Sequence, residues 1–334
     1  MIKDFTPLEW LYIGIANAYG LDKKLWEERL QWAYANESSY LSDVEALAQS
    51  ASEPFMFRKL VNSLKDHKEG LPVSCLVGID CTASGLQLLS LMTGDMKAAT
   101  HVNLVNNGKR NDIYSYGAEF MSSVCSKPVT RDMLKNPIMT TFYASTAKPK
   151  EIFGDGTPEL QAYYEFLKTE LEGPYHAMLD MMSCTDPNAL SYSWTMPNGT
   201  LVHLPVMDTV SKKLEIDELD HKTFTMVTEV NKPKEYDRSL PANIVQSVDA
   251  FVTSELVRRC NFTVLPIHDC YYCSPVHVNE MRRTFNKILS EIPHMNLLQR
   301  ILRGVTGDAT LEYTLMCDPE ELSQLVLEAE YALS

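Results

Sequence analysis

The chain has 334 residues, 45% of them hydrophobic and 22% charged. This usage excludes collagen, coiled-coil and wholly disordered chains, and the length predicts about two domains or one large one. Thirty basic against 44 acidic side chains leave a formal charge of −14, which argues against a simple basic DNA-binding module but leaves room for a local basic groove.

The opening MIKDFTPLEW has no basic stretch leading into an apolar one, so no signal peptide is expected. No apolar run approaches the roughly 18–20 residues that cross a bilayer. Of eight cysteines, only Cys270 and Cys273 form a CxxC pair. A lone CxxC lacks the second pair of a structural zinc site, so the cysteines read as reduced thiols of an intracellular protein.

Residues 7–36 carry helical spacing, broken at Gly20, and 38–69 continue as a charged amphipathic helix with a cap at Ser42-Asp43. Gly70-Leu71-Pro72 marks a boundary. Val73 to Ile79 is a short apolar run that predicts a buried strand ending at Asp80, and Ser84 is placed to cap a helix running to Gly94. Helices are predicted over 109–126 and 158–183. Over 130–144, Arg131, Lys135, Met139 and Phe142 recur at near i, i+4 spacing and share one helical face, with Pro137 as a complication. The Pro197-Asn198-Gly199 turn predicts a hairpin over 194–205, and 210–240 is charged and unassigned. Ala242 to Arg258 is predicted helical. FTVLPIHDCYYC then reads as a hairpin with a carboxylate at its tip, and 278–334 as mostly helix. No repeat or flexible linker separates these elements, which predicts one helix-rich α+β body.

Two apolar strands thus end in aspartates, Asp80 and Asp269, 189 residues apart. Each either caps the turn that follows it or, if the strands lie side by side, helps hold a pair of Mg²⁺ ions in the arrangement used for phosphoryl transfer. Arg131 and Lys135, one turn apart, are either a solvated basic stripe or a grip on nucleotide phosphates. Tyr143 stands two turns beyond Lys135, where a ring either joins the core or faces a base or sugar.

Together these fragments resemble a known family. GIDCTASGLQ (78–87), RDMLKNPIMTTFYAS (131–145) and LPIHDCYY (265–272) are similar to motifs A, B and C of the single-subunit phage and mitochondrial RNA polymerases. Asp80 with Ser84-Gly85-x-Gln87 matches D-x-x-x-S-G-x-Q, and Arg131-x3-Lys135-x3-Met139-Thr140-x2-Tyr143 matches motif B. His268-Asp269 matches motif C. Weaker matches, in the same order as in the family, are WLYIGIANAYGLDKKLWEERL (10–30), Asp112-Ile113-Tyr114, Trp194-Thr195-x-Pro197-x-Gly199, Pro241-Ala242-Asn243-x-Val245-x-Ser247-x-Asp249 and the closing EYALS.

The resemblance implies a right-hand polymerase fold, with palm and fingers around a small antiparallel sheet: palm at 1–125 and 241–334, fingers at 126–240. It implies that Asp80, Asp269 and the backbone carbonyl of Cys81 hold two Mg²⁺ ions. Arg131 and Lys135 would bind the incoming phosphates, with Met139 in the same substrate site. Tyr143 would sense the sugar and the nascent pair, and His268 would sit beside the primer end. Related DNA polymerases place a glutamate five residues after the first aspartate as a gate against a 2′-hydroxyl, and here that position is Gly85, so ribonucleotides are expected to fit.

Four positions depart from the family pattern. Gln246 replaces a histidine, and it can still hydrogen-bond a hydroxyl. Ala144 replaces a glycine, Pro137 is unusual inside the motif B helix, and Tyr12 replaces a lysine. The chain begins just before the 10–30 match and contains no D-x-x-G-R motif. The expectation is a catalytic subunit without the N-terminal domain and thumb, most similar to the larger subunit of the heterodimeric middle-gene RNA polymerases of N-four-like bacteriophages. It would work in the host cytoplasm on template DNA, nascent RNA and NTPs. A second subunit would supply the missing parts, and a single-stranded-DNA-binding protein is a further expected partner. The competing readings are a catalytically degenerate scaffold and a template-directed DNA polymerase, which Gly85 disfavours.

Overall fold

The computed structural model describes residues 2–234 and 238–334. Helix α1 (Pro7–Ala16) opens at Thr6, whose hydroxyl accepts from the Glu9 amide while the Glu9 carboxylate accepts from the Thr6 amide. A π-helical turn follows at Asn17–Leu21, where Gly20 takes φ 117°, a conformation that glycine alone adopts freely. Then come α2 (Trp26–Ala35), α3 (Glu37–Ser42), α4 (Val44–Ala48) and α5 (Pro54–Lys68). The break expected at Gly20 is present. The single helix expected over 38–69 is three, because the Asp43 carboxylate caps α4 and Pro54 starts α5.

Strand β1 is Val77–Asp80, shorter than the expected 73–79 run, because only these four residues lie opposite β7. Helix α6 (Ser84–Thr93) begins at Ser84 itself. The cap position belongs to Ala83 at φ 58°, with no side-chain cap, so Ser84 is not the cap the sequence suggested. Helices α7 (Met96–His101), α8 (Ile113–Val124), α9 (Arg131–Thr141), α10 (Ala147–Phe153), α11 (Pro158–Glu170) and α12 (Glu172–Ser183) follow, so the expected 158–183 helix is broken at Leu171.

The hairpin of β2 (Ser191–Thr195) and β3 (Leu201–Pro205) forms around Pro197-Asn198-Gly199 as its turn chemistry predicts. The unassigned region holds a long two-stranded ribbon, β4 (Met207–Ile216) with β5 (Lys222–Pro233); residues 235–237 of that region lie outside the described residues. Helix α13 (Ser239–Arg259) leads to β6 (Leu265–Ile267) and β7 (Cys270–Cys273), the expected hairpin with His268-Asp269 at its tip. Helices α14 (Val278–Glu291), α15 (Leu297–Thr306) and α16 (Pro319–Leu327) complete the described elements. The last segment is mostly helical as expected, with residues 307–318 and the tail after α16 as its non-helical parts. The whole is helix-rich α+β with small antiparallel sheets, and among the described residues the central one has the order β1-β7-β6.

Three features lock the central sheet to the helices. At Gly14, α1 comes so close to α5 and β1 that a Cβ would touch Leu60 and Val77 at 3.4 Å. Gly78 of β1 lies beneath its cross-strand partner Tyr272, whose ring leaves no room for a Cβ. Arg29 is fully buried, stacked on Trp26 at 4.2 Å, and donates to Asn17 Oδ1 (2.9 Å), the Asp22 carbonyl (2.8 Å) and the Lys24 carbonyl (3.0 Å). It therefore braces the turn between the π-helical segment and α2. Burial, and then Arg110, pull its pKa down to about 9, which still leaves it charged at neutral pH. Cys270 and Cys273 point to opposite faces of β7, so this CxxC cannot close on one ion. All eight cysteines are free thiols.

Candidate active site

The end of the central sheet opens into a cavity of about 690 Å³. Asp80 ends β1 opposite Cys270, and the Cys81 amide donates to the Asp269 carbonyl at 3.0 Å, so the two aspartates face one another across adjacent strand ends. The two-residue turn His268-Asp269 is strained: His268 takes φ 56°, a conformation usually left to glycine. The closing residues brace this region from behind. The Ser334 amide donates to the Asp80 carbonyl (2.8 Å), Cys81 pairs with Leu333, and the Thr82 hydroxyl donates to the Tyr331 carbonyl (2.9 Å). The buried Gln87 amide donates to Ala332 and Val102 carbonyls, both at 3.0 Å.

Helix α9 forms one wall. Arg131, Lys135 and Met139 of its open face line the cavity with the buried Ile138, followed by Phe142 and Tyr143. Leu134, Pro137, Ile138 and Thr141 are buried, so Pro137 sits in the packed interior of the helix. Helix α13 brings Gln246 and Asp249 to the rim. The candidate site residues Asp80, Cys81, Arg131, Lys135, Met139, Tyr143, Gln246, His268 and Asp269 thus line one cavity, whereas Tyr12, Pro137 and Ala144 do not line it.

Four carboxylates and four cations line the cavity, and Asp269 acts electrostatically on both Asp80 and Asp249. Burial, and then the charge of Asp269, push the Asp80 carboxyl up to about 6, with Lys23 pulling it back. Burial and Asp269 likewise raise Asp249 to about 6, opposed by His268. Burial, Asp249 and Asp269 raise the Tyr143 phenol. Buried carboxylates that also feel the charge of Asp269 favour either a proton or a cation, and oxygen donors suit a hard divalent ion such as Mg²⁺.

The cations are distributed differently from the simplest expectation. Arg131 is not free, since its Nε donates to Asp112 Oδ2 at 2.6 Å and its guanidinium lies 5.4 Å from the Tyr114 ring centroid. Burial alone would raise Asp112, yet hydrogen bonds from Arg131 and Ser115 hold it below the usual carboxylate value. Lys135 has no hydrogen bond or ion pair among the described residues, so its charge is available to the cavity. Sequence reasoning assigned no site role to Lys23, Arg110, Asp112 or Asp249, all of which line the cavity. Asp112, Asp249 and Lys23 sit inside quoted motif matches, so a signal was present; Arg110 had none.

The chain is similar in sequence to known proteins. Residues 4–151 match the family of DNA-dependent RNA polymerases. The matched span carries Asp80, Arg131, Lys135 and Tyr143, while Asp249, His268 and Asp269 lie beyond it. A "Probable DNA-directed RNA polymerase" of Gelasinospora sp. (strain G114) is 24% identical over 83% of the chain and 41% of its own length. The mitochondrial DNA-directed RNA polymerase of Schizosaccharomyces pombe is 21% identical over 88% of the chain and 31% of its own length. A "Probable DNA-directed RNA polymerase" of Neurospora crassa reaches 36% identity over 32% of the chain and 13% of its own length. The chain therefore spans less than half the length of these polymerases. No helix among the described residues is long and apolar enough to cross a membrane.

Proposed function

We propose that the chain is the catalytic part of a DNA-directed RNA polymerase, joining a ribonucleoside triphosphate to the 3′ end of RNA on a DNA template. The observation that carries this reading is the meeting of Asp80, Lys135, Tyr143 and Asp269, from three distant segments, in one cavity. On this reading the palm comprises 1–125 and 241–334, and the fingers comprise 126–240.

Asp80, Asp269 and the Cys81 carbonyl would hold two Mg²⁺ ions, which supply Lewis acidity toward the RNA 3′-hydroxyl and offset the charge of the triphosphate and leaving pyrophosphate. The 3′-hydroxyl gives its proton to water as its oxygen attacks the α-phosphorus, the bond from that phosphorus to the α,β-bridging oxygen breaks, and pyrophosphate departs with its electron pair. Lys135 offers the free cation of α9 to the phosphates. Arg131, bound to Asp112, gives a second positive group whose direction is fixed by that pair. Tyr143 and Gln246 stand at the rim to contact the ribose, Met139 offers an exposed apolar surface beside them, and His268 stands next to Asp269 at the primer end.

The net charge of −14 weakens the attraction of this chain to a DNA template, which supports a partner that supplies template contacts, as in a heterodimeric phage enzyme transcribing phage genes. The test is ribonucleotide incorporation on a primed or single-stranded template with Mg²⁺, using the chain alone and co-expressed with its partner. RNA is expected with the partner, and Asp80→Asn or Asp269→Asn is expected to lose roughly a thousandfold in rate. Full activity in either variant removes the metal assignment. Synthesis by the chain alone removes the need for a second subunit, and no synthesis in any combination favours a catalytically degenerate scaffold.

A further inference from the structure

Arg110 lies in the segment between α7 and α8, and its position is set by that segment's internal bonding. Asn103 Nδ2 donates to the Asn111 carbonyl at 2.9 Å, the Asn111 amide donates to Asn103 Oδ1 at 2.7 Å, and Asn111 Nδ2 donates to the Thr100 carbonyl at 2.8 Å. The half-buried guanidinium donates from Nε (3.1 Å) and Nη2 (2.8 Å) to one acceptor, the Ser334 hydroxyl. A hydroxyl cannot neutralise the charge. Among the described residues no carboxylate comes within ion-pair distance of Arg110, and its Nη1 has no partner. The other guanidinium of this cavity is different, because Arg131 already holds Asp112. Arg110 is thus a preorganised cation with an unfilled hydrogen-bonding edge on the wall of a cavity that Lys135 also lines.

A planar fork of this kind recognises phosphate oxygens in pairs, and a desolvated cation that Asp22, Asp112 and Asp80 offset only from beyond ion-pair distance gains most from a multiply charged anion. We propose that Arg110 is a binding residue for a diphosphate group, either the β- and γ-phosphates of a nucleoside triphosphate or free pyrophosphate. The nucleotide half of this inference rests on the polymerase reading; the anion half does not. Ser334 acts as the positioning residue, holding the guanidinium without competing for its charge.

The test is calorimetric titration of the full chain with inorganic pyrophosphate in metal-free buffer, comparing wild type, Arg110→Gln, Arg110→Lys and Ser334→Ala. Loss of the fork is expected to weaken pyrophosphate about tenfold or more in Arg110→Gln and less in Arg110→Lys. Ser334→Ala is expected to weaken it no more than about threefold, because the charge stays in place. Equal affinity in wild type and Arg110→Gln overturns the inference, as does the absence of pyrophosphate binding to wild type. Equal losses in Ser334→Ala and Arg110→Gln overturn it too, since Arg110 would then only anchor Ser334. Should Arg110→Gln fail to fold, Arg110→Lys decides, and unchanged affinity there counts against the site. Ribonucleotide titrations in the same variants separate the two sources of the diphosphate. Arg110-dependent pyrophosphate binding without RNA synthesis, either alone or with the partner, keeps the anion site and removes the polymerase reading. RNA synthesis with an unchanged KM for NTPs in Arg110→Gln removes the inference and keeps the polymerase.

Discussion

Gly85 faces the hydroxyl of Tyr143: a Cβ built on Gly85 would lie 3.6 Å from Tyr143 Oη and 3.4 Å from Val245. A methyl group fits there, whereas a longer side chain has to enter the cavity beside the phenol. This contact brings the first residues of α6 within reach of the end of the α9 wall, where the proposed reading puts the ribose.

Sugar selectivity is predicted to respond at both partners. Gly85→Glu fills the space before Tyr143 and is expected to lower kcat/KM for ribonucleotides by about 100-fold or more while sparing deoxynucleotides. Tyr143→Phe removes one hydroxyl and is expected to raise relative deoxynucleotide incorporation by about tenfold. Single-nucleotide extension with matched NTP and dNTP pairs measures both, and an unchanged ratio in the two variants removes Tyr143 and Gly85 from sugar selection.

The clustered carboxylates give the metal-free protein a defined pH response. Asp80 and Asp249 have folded-state values of about 6 against an ordinary 3.8. The folded state therefore holds these protons more tightly than the unfolded state does. Their contribution to stability is complete below about pH 4 and is lost as the pH rises through about 6. The Tm of wild type relative to Asp80→Asn or Asp249→Asn is predicted to fall between about pH 5 and pH 7 with EDTA present. Adding Mg²⁺ near pH 7 is predicted to raise the Tm of wild type and not that of Asp80→Asn, because a bound cation replaces the proton. Melting curves that shift in parallel with pH in all three proteins would sink this assignment.

Arg29 joins the core to the site. Its three oxygen partners span Asn17 to Lys24, and Lys23, within that turn, lines the cavity. Arg29→Met keeps much of the volume but leaves the Asp22 and Lys24 carbonyls and the Asn17 amide oxygen without their donor. A loss of about 3 kcal/mol in unfolding free energy is predicted, read by denaturant titration. A loss below about 1 kcal/mol would show that water replaces Arg29 in all three bonds.

Much of the local structure was open to direct reading because its causes are local. Pro197-Asn198-Gly199 dictates its hairpin, Gly20 its break, and the i, i+4 recurrence from Arg131 to Met139 a single helical face. Local chemistry also hid some boundaries. Asp43 caps α4 as its residue type suggests but the second break before Pro54 goes unannounced, Ser84 begins its helix without capping it, and the β4–β5 ribbon carries too much charge to declare itself as strand. By itself the sequence determined which residue types could do the chemistry and in what order they occur, since spacing and side-chain type are properties of the chain. Only the tertiary structure decided that Asp80 and Asp269 share one electrostatic field, that Arg131 is held by Asp112, and that Arg110 stands beside them. Such relationships depend on β1 pairing with β7 and on the segment before α8 reaching the Ser334 tail, and on how much water remains between the charges.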